Sequence, residues 1–107
     1  MKNKKKAKSP AIEKIAENVK YKFSPYPRPI CLEKCTITYS KGYEDDILKT
    51  LKSFSNKEAF DRRSPHKLEG SETWSIDVRS RTDKYRMLFY FDDRVCKITD
   101  LCTDKTH

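Results

Sequence analysis

The chain has 107 residues, of which 36% are hydrophobic and 37% charged, with two glycines and a formal net charge of +8. That length suits one domain with a single modest core, and so polar a composition confines the core to a few concentrated segments. No stretch is apolar enough to span a membrane, and no apolar signal segment follows the basic N-terminus. A cytosolic protein with reduced thiols is therefore expected.

The charge is uneven. Residues 1–30 hold nine Lys/Arg and two Asp/Glu, whereas residues 31–107 hold fifteen and fourteen. The basicity belongs mostly to a lysine-rich head, so it says little about the body. Residues 1–8 read as a disordered basic tail. Ser9-Pro10 is a helix start, with Ser as N-cap and Pro at the first helical position. Ile12, Ile15, Ala16 and Val19 then recur at helical spacing, predicting an amphipathic helix that ends near Lys22. Ser24-Pro25-Tyr26-Pro27-Arg28-Pro29 excludes helix, since each proline lacks a donor and biases its predecessor to extended backbone. It reads as a linker, giving a segment 9–34 of appended helix plus linker and a main domain over 35–107.

In the main domain, Cys35-Thr36-Ile37-Thr38-Tyr39 alternates as a first strand. Tyr43 to Phe54 reads as a helix with Ile47, Leu48, Leu51 and Phe54 on one face and its acids in the first turn. Asn56 to Phe60 starts a second short helix, broken before Ser64-Pro65, and His66 to Gly70 forms a loop. Three antiparallel strands follow, Trp74–Arg79, Lys84–Phe91 and Val95–Asp100, with Asp92-Asp93 as a tight turn. In the middle strand Tyr85, Met87, Phe89 and Phe91 share one face, and Arg86, Leu88 and Tyr90 the other. The expected fold is α+β: a small, about four-stranded antiparallel sheet packed by one or two helices, with an appended N-terminal helix.

Three constellations could carry chemistry. Arg79, Arg81, Lys84 and Arg86 lie on adjacent strands or their connecting turn, with Lys67 in the preceding loop. Guanidinium groups on a rigid sheet suit bidentate phosphate recognition, and equally suit solubility and edge protection. His66 and His107 are the two imidazoles able to transfer protons near neutrality. Cys31, Cys35, Cys96 and Cys102 could gather as a four-thiolate zinc site, although their spacing is not the two-residue knuckle and free cysteine is commonly a small buried hydrophobe. No Gly-rich phosphate loop or nucleophile elbow is present, so nucleotide hydrolysis and serine-hydrolase chemistry lack support.

The run His66-Lys67-Leu68-Glu69-Gly70, then Trp74-Ser75-Ile76-Asp77-Val78, then Tyr85-Arg86-Met87-Leu88-Phe89 resembles the RelE/ParE superfamily of bacterial toxins, closest to its HigB and YoeB-like members. The resemblance covers roughly residues 35–107. It implies a toxin of a type II toxin-antitoxin pair that cleaves mRNA, ribosome-dependently, and is held in check by a cognate antitoxin. By that pattern the catalytic set is Arg86 on the cleaved phosphate, with His107 near the C-terminal proton-transfer position and His66 in the loop where some members place a base. Arg79, Arg81, Lys84, Lys67 and Tyr90 would bind RNA or phosphate. No cofactor or metal is implied, because the RNA's own 2′-hydroxyl is the nucleophile and the protein need only move protons and stabilise charge. Ser75 and Asp77 stand where RelE has two strand lysines. The ParE branch inhibits DNA gyrase instead, and a basic nucleic-acid or protein-binding module is a further reading.

Overall fold

A computed structural model describes residues 4–6, 10–22, 27–33 and 38–104. Eight strands and three helices follow in the order β1 (Lys4–Lys6), α1 (Pro10–Asn18), β2 (Lys20–Tyr21), β3 (Arg28–Leu32), β4 (Thr38–Ser40), α2 (Glu44–Ser53), α3 (Lys57–Asp61), β5 (His66–Lys67), β6 (Trp74–Asp77), β7 (Arg86–Asp92) and β8 (Val95–Thr103). Six strands form one sheet in the order β2-β3-β8-β7-β6-β5, and β1 pairs with β4 apart from it.

The α+β class holds, but the sheet is neither four-stranded nor purely antiparallel. Strand β3 runs parallel to β8, aligning Ile30 with Cys96 and Leu32 with Ile98. The proline-rich stretch expected to be a linker thus delivers a strand of the main sheet. Pro29 does not obstruct it, because the parallel ladder starts at Ile30 and proline is tolerated at strand beginnings. The strand expected at Cys35–Tyr39 is displaced: Thr38–Ser40 pairs with Lys4–Lys6 in the small sheet, and Cys35 to Ile37 lie outside the described residues. Lys4–Lys6 itself falls within the stretch read as a disordered tail.

Helix α1 packs against α2 and β3, and it is part of the core rather than an appendage. Ile12 is fully buried, with Ala16 and Val19 nearly so, alongside Ile47 and Leu51 of α2 and Phe54 at its C-cap. The predicted helical spacing of Ile12 and Ala16, with Val19 just beyond the helix end, therefore marks the buried face; α1 stops at Asn18 rather than near Lys22, because Lys20–Tyr21 enters the sheet as β2. Helix α2 places Glu44, Asp45 and Asp46 in its first turn and Lys52 in its last, complementing the helix dipole. Its buried hydroxyls bond within the helix, Thr50 to the Asp46 carbonyl at 2.7 Å and Ser53 to that of Thr50 at 2.6 Å. Asn56 caps α3 by accepting from the Ala59 N–H at 3.1 Å.

Strands β6, β7 and β8 form an antiparallel meander. Its inner face supplies Ile76, Met87, Phe89, Cys96 and Ile98 to the core, where Phe89 meets Phe54 edge-on at 5.1 Å. The β7–β8 register shifts between Arg86 and Leu88 and again between Leu88 and Phe89. Such bulges add residues to one strand and re-aim its side chains, which accounts for the broken alternation of β8 and for the burial of the consecutive Leu101 and Cys102. No helix among the described residues is long and apolar enough to cross a membrane.

Candidate functional site

On the sheet face away from the helices, alternation along β7 presents Arg86, Leu88 and Tyr90. Arg86 sits opposite Asp77 of β6, and Leu88 opposite Ser75. The Arg86 Nε lies 3.2 Å from Asp77 Oδ1, with the side chains only 18% and 8% exposed. Its Nη1 donates to the carbonyls of Asp83 and Tyr85, and its Nη2 to that of Arg81 at 3.1 Å. The guanidinium is a hub that fastens the β6–β7 connection to the sheet.

The same connection is held from α2. Arg79 donates to Asp46 Oδ2 at 2.9 Å and to the Gly42 carbonyl at 3.0 Å, and lies 3.8 Å over the Tyr43 ring. Its bond to Asp46 raises its pKa above the usual arginine value. Tyr43 in turn donates to Asp83 Oδ2 at 2.8 Å, and the Tyr85 N–H to Asp83 Oδ1 at 2.8 Å. Burial and that hydrogen bond push the Tyr43 phenol up to about 12. Burial alone would raise the Asp83 carboxyl, but the Tyr85 N–H, the Tyr43 hydroxyl and the nearby Arg79 and Arg86 more than offset it and leave it below its ordinary value.

The expected cationic face is therefore largely compensated. Arg79 and Arg86 each face a carboxylate, Lys84 lies 3.8 Å from Asp104, and Lys67 lies 3.4 Å from Glu72. Arg81 is exposed and contributes its carbonyl to Arg86. Tyr90 sits at the opposite end of β7 and donates to Glu33 Oε2 at 3.1 Å. Arg79, Arg81, Lys84 and Arg86 do converge, on the connection Ser80–Tyr85. His66 and Lys67 lie elsewhere, on the edge strand β5, where His66 Nδ1 faces the Ser64 carbonyl at 3.2 Å. His107 lies outside the described residues.

Asp77, Tyr43 and Asp83 organise this site, and the sequence alone does not mark them as site residues. Asp77 carries the strongest signal of the three: an acid and an arginine on the same face of adjacent strands are natural cross-strand partners. Tyr43 and Asp83 meet across 40 residues of sequence, which no local pattern signals. Next to the ion pair, the fully buried Ser75 hydroxyl has no hydrogen-bond partner among the described residues.

Arg63 closes the sheet edge beside this site. The Asp77 N–H donates to the Arg63 carbonyl at 2.9 Å, and Arg63 Nη1 donates to the Asp77 and Val78 carbonyls at 3.2 and 2.9 Å. Of the cysteines, Cys31 is exposed while Cys96 and Cys102 are buried. Burial pushes each of the two buried thiols up to about 12. Cys35 lies outside the described residues, and among those described no group of three or more His, Cys, Asp or Glu could hold a metal ion.

At the inner side of the sheet a cavity of about 190 Å³ opens between α3, β2 and the β6–β7 ladder, lined chiefly by Tyr21, Phe60, Trp74, Phe89 and Phe91. Tyr21 lies 4.7 Å from Phe91, and Trp74 stacks on Phe89 at 14°. Lys57 and Asp61, paired at 3.0 Å, stand at the cavity.

No family model, curated protein or solved structure matches this chain.

Proposed function

We propose that the chain is a RelE/ParE-type toxin of the cytoplasm, which cleaves mRNA on the ribosome and is neutralised by a cognate antitoxin. One arrangement carries the reading: a short helical pair, α2 and α3, precedes an antiparallel meander whose middle strand sets Arg86 on the face turned away from the helices. In the reaction the RNA 2′-oxygen attacks the adjacent phosphorus and the bond to the 5′-oxygen breaks, leaving a cyclic phosphate. A base takes the 2′-proton, and an acid protonates the departing oxygen. His66 and His107 are the candidates for those transfers. Arg86 would stabilise charge on the phosphate, which requires its Nη2 edge to turn from the Arg81 carbonyl toward the substrate.

Expression should arrest growth and fragment cellular messages, and Arg86→Ala should abolish both while its circular dichroism remains that of the parent. If a folded Arg86→Ala protein cleaves message as the parent does, the assignment fails.

The internal engagement of Arg86 favours a second reading, a non-nuclease toxin on the same fold that inhibits DNA gyrase. Inhibited supercoiling with intact cellular mRNA would select it.

A further inference from the structure

We propose that the aromatic cavity beside β2 binds one nucleobase of a single-stranded nucleic acid, with the neighbouring phosphates running along the basic residues of β2 and β3. The site is separate from the Arg86 face and does not depend on whether the chain cleaves RNA.

Ring exposure is the first reason. Tyr21, Trp74 and Phe91 are each only half buried and line the same opening; the Arg28 guanidinium lies 4.9 Å over the Phe91 ring, so stacking falls to Tyr21 and Trp74. A cavity of about 190 Å³ falls short of the roughly 300–1,000 Å³ typical of a small-molecule site, and it has room for a single planar ring system. Aromatic side chains are general stacking platforms for bases, because every base offers a π-face.

Charge identifies the occupant. Tyr21 is flanked in sequence by the exposed Lys20 and Lys22, and its cross-strand partner is Arg28. Lys57 adds a fourth cation, against the single carboxylate of Asp61 at the cavity wall. That surplus suits a phosphate backbone and opposes a cationic ligand, which the aromatic rings alone would also have accommodated. The Lys57–Asp61 pair is solvent-exposed, at 67% and 53%, so it holds Lys57 weakly. A phosphate would then compete with Asp61 for Lys57.

The test uses the full chain and a 2′-O-methylated oligouridylate of about eight nucleotides, which has no attacking hydroxyl and so reports binding irrespective of cleavage. Trp74 is the sole tryptophan, and its emission reads the cavity directly. Saturable quenching is expected. Tyr21→Leu should weaken binding at least about fivefold, and Lys57→Gln should flatten the plot of log affinity against log salt by about 0.7. Lys57 is on the surface, so its variant remains decisive even if Tyr21→Leu fails to fold. Unchanged Trp74 emission at saturation, or an unaltered salt slope in Lys57→Gln, overturns the proposal. So does quenching by a partner protein but not by the oligonucleotide.

Discussion

Arg86 and Asp77 form a cross-strand ion pair at 3.2 Å that is largely withdrawn from solvent, and the rest of the guanidinium is spent on backbone carbonyls of the preceding turn. A residue expected to wait for phosphate is thereby also a structural pin. Removing one partner of a buried pair strands the other charge. Arg86→Ala or Asp77→Ala should each lower stability by about 3 kcal/mol, seen as a reduced urea midpoint with unchanged slope. The double variant should lose clearly less than the sum, since the two residues share one interaction. Additive losses would show that the pair contributes nothing as a pair.

Alkaline pH should loosen the fold. Tyr43 has a folded pKa raised above its ordinary 10.0, and Cys96 and Cys102 have theirs raised above 9.0, all to about 12. Each therefore stabilises fully below its unfolded value, and that contribution drains as pH rises toward about 12. The urea midpoint should fall from about pH 9 upward, and Tyr43→Phe should flatten the part above pH 10. In a Cys35→Ser background a thiol reagent should modify Cys31 rapidly, and Cys96 and Cys102 only on unfolding.

Arg63 substitutes for a neighbouring strand where β5 is too short to cover β6. Arg63→Leu should remove the guanidinium's bonds to the Asp77 and Val78 carbonyls, leaving Val78 with the Thr50 hydroxyl at 3.2 Å, at a cost of about 1–3 kcal/mol. Hydrogen exchange at the Asp77 amide should accelerate. With the edge open, concentration-dependent self-association should appear in sedimentation. A variant that exchanges like the parent would show that β6 needs no such cover.

Ile12 tests the standing of the N-terminal segment. Ile12→Ala should cost about 3 kcal/mol, as for a buried aliphatic side chain, whereas an appended helix would tolerate it. Thermal unfolding should show a single transition displaced downward, because α1 shares its core with α2 and β3.

Much of the architecture is legible in the sequence because its residues obey local periodicity. Ile12 and Ala16 announce the buried stripe of α1, and Ile47 and Leu51 that of α2. Met87 and Phe89 alternate cleanly with Arg86 and Leu88. What escapes such reading is non-local. Arg28–Leu32 carries prolines and belongs to the sheet only through parallel pairing with the distant strand Val95–Thr103, and no local pattern encodes that partnership. The site escapes similarly: arginines advertise charge, but only the fold brings Asp46, Asp77 and Asp83 against them.

The position of β8 has a consequence for synthesis. Although it is the last of the eight strands to be made, it lies between β3 and β7, so neither neighbour can complete its pairing before Val95–Thr103 has been translated. Until then Ile30 on one side and Phe89 on the other lack the strand that joins their halves of the core. Closure must follow the synthesis of β8, and a nascent chain stalled before Val95 would leave both apolar faces open to chaperones and proteases.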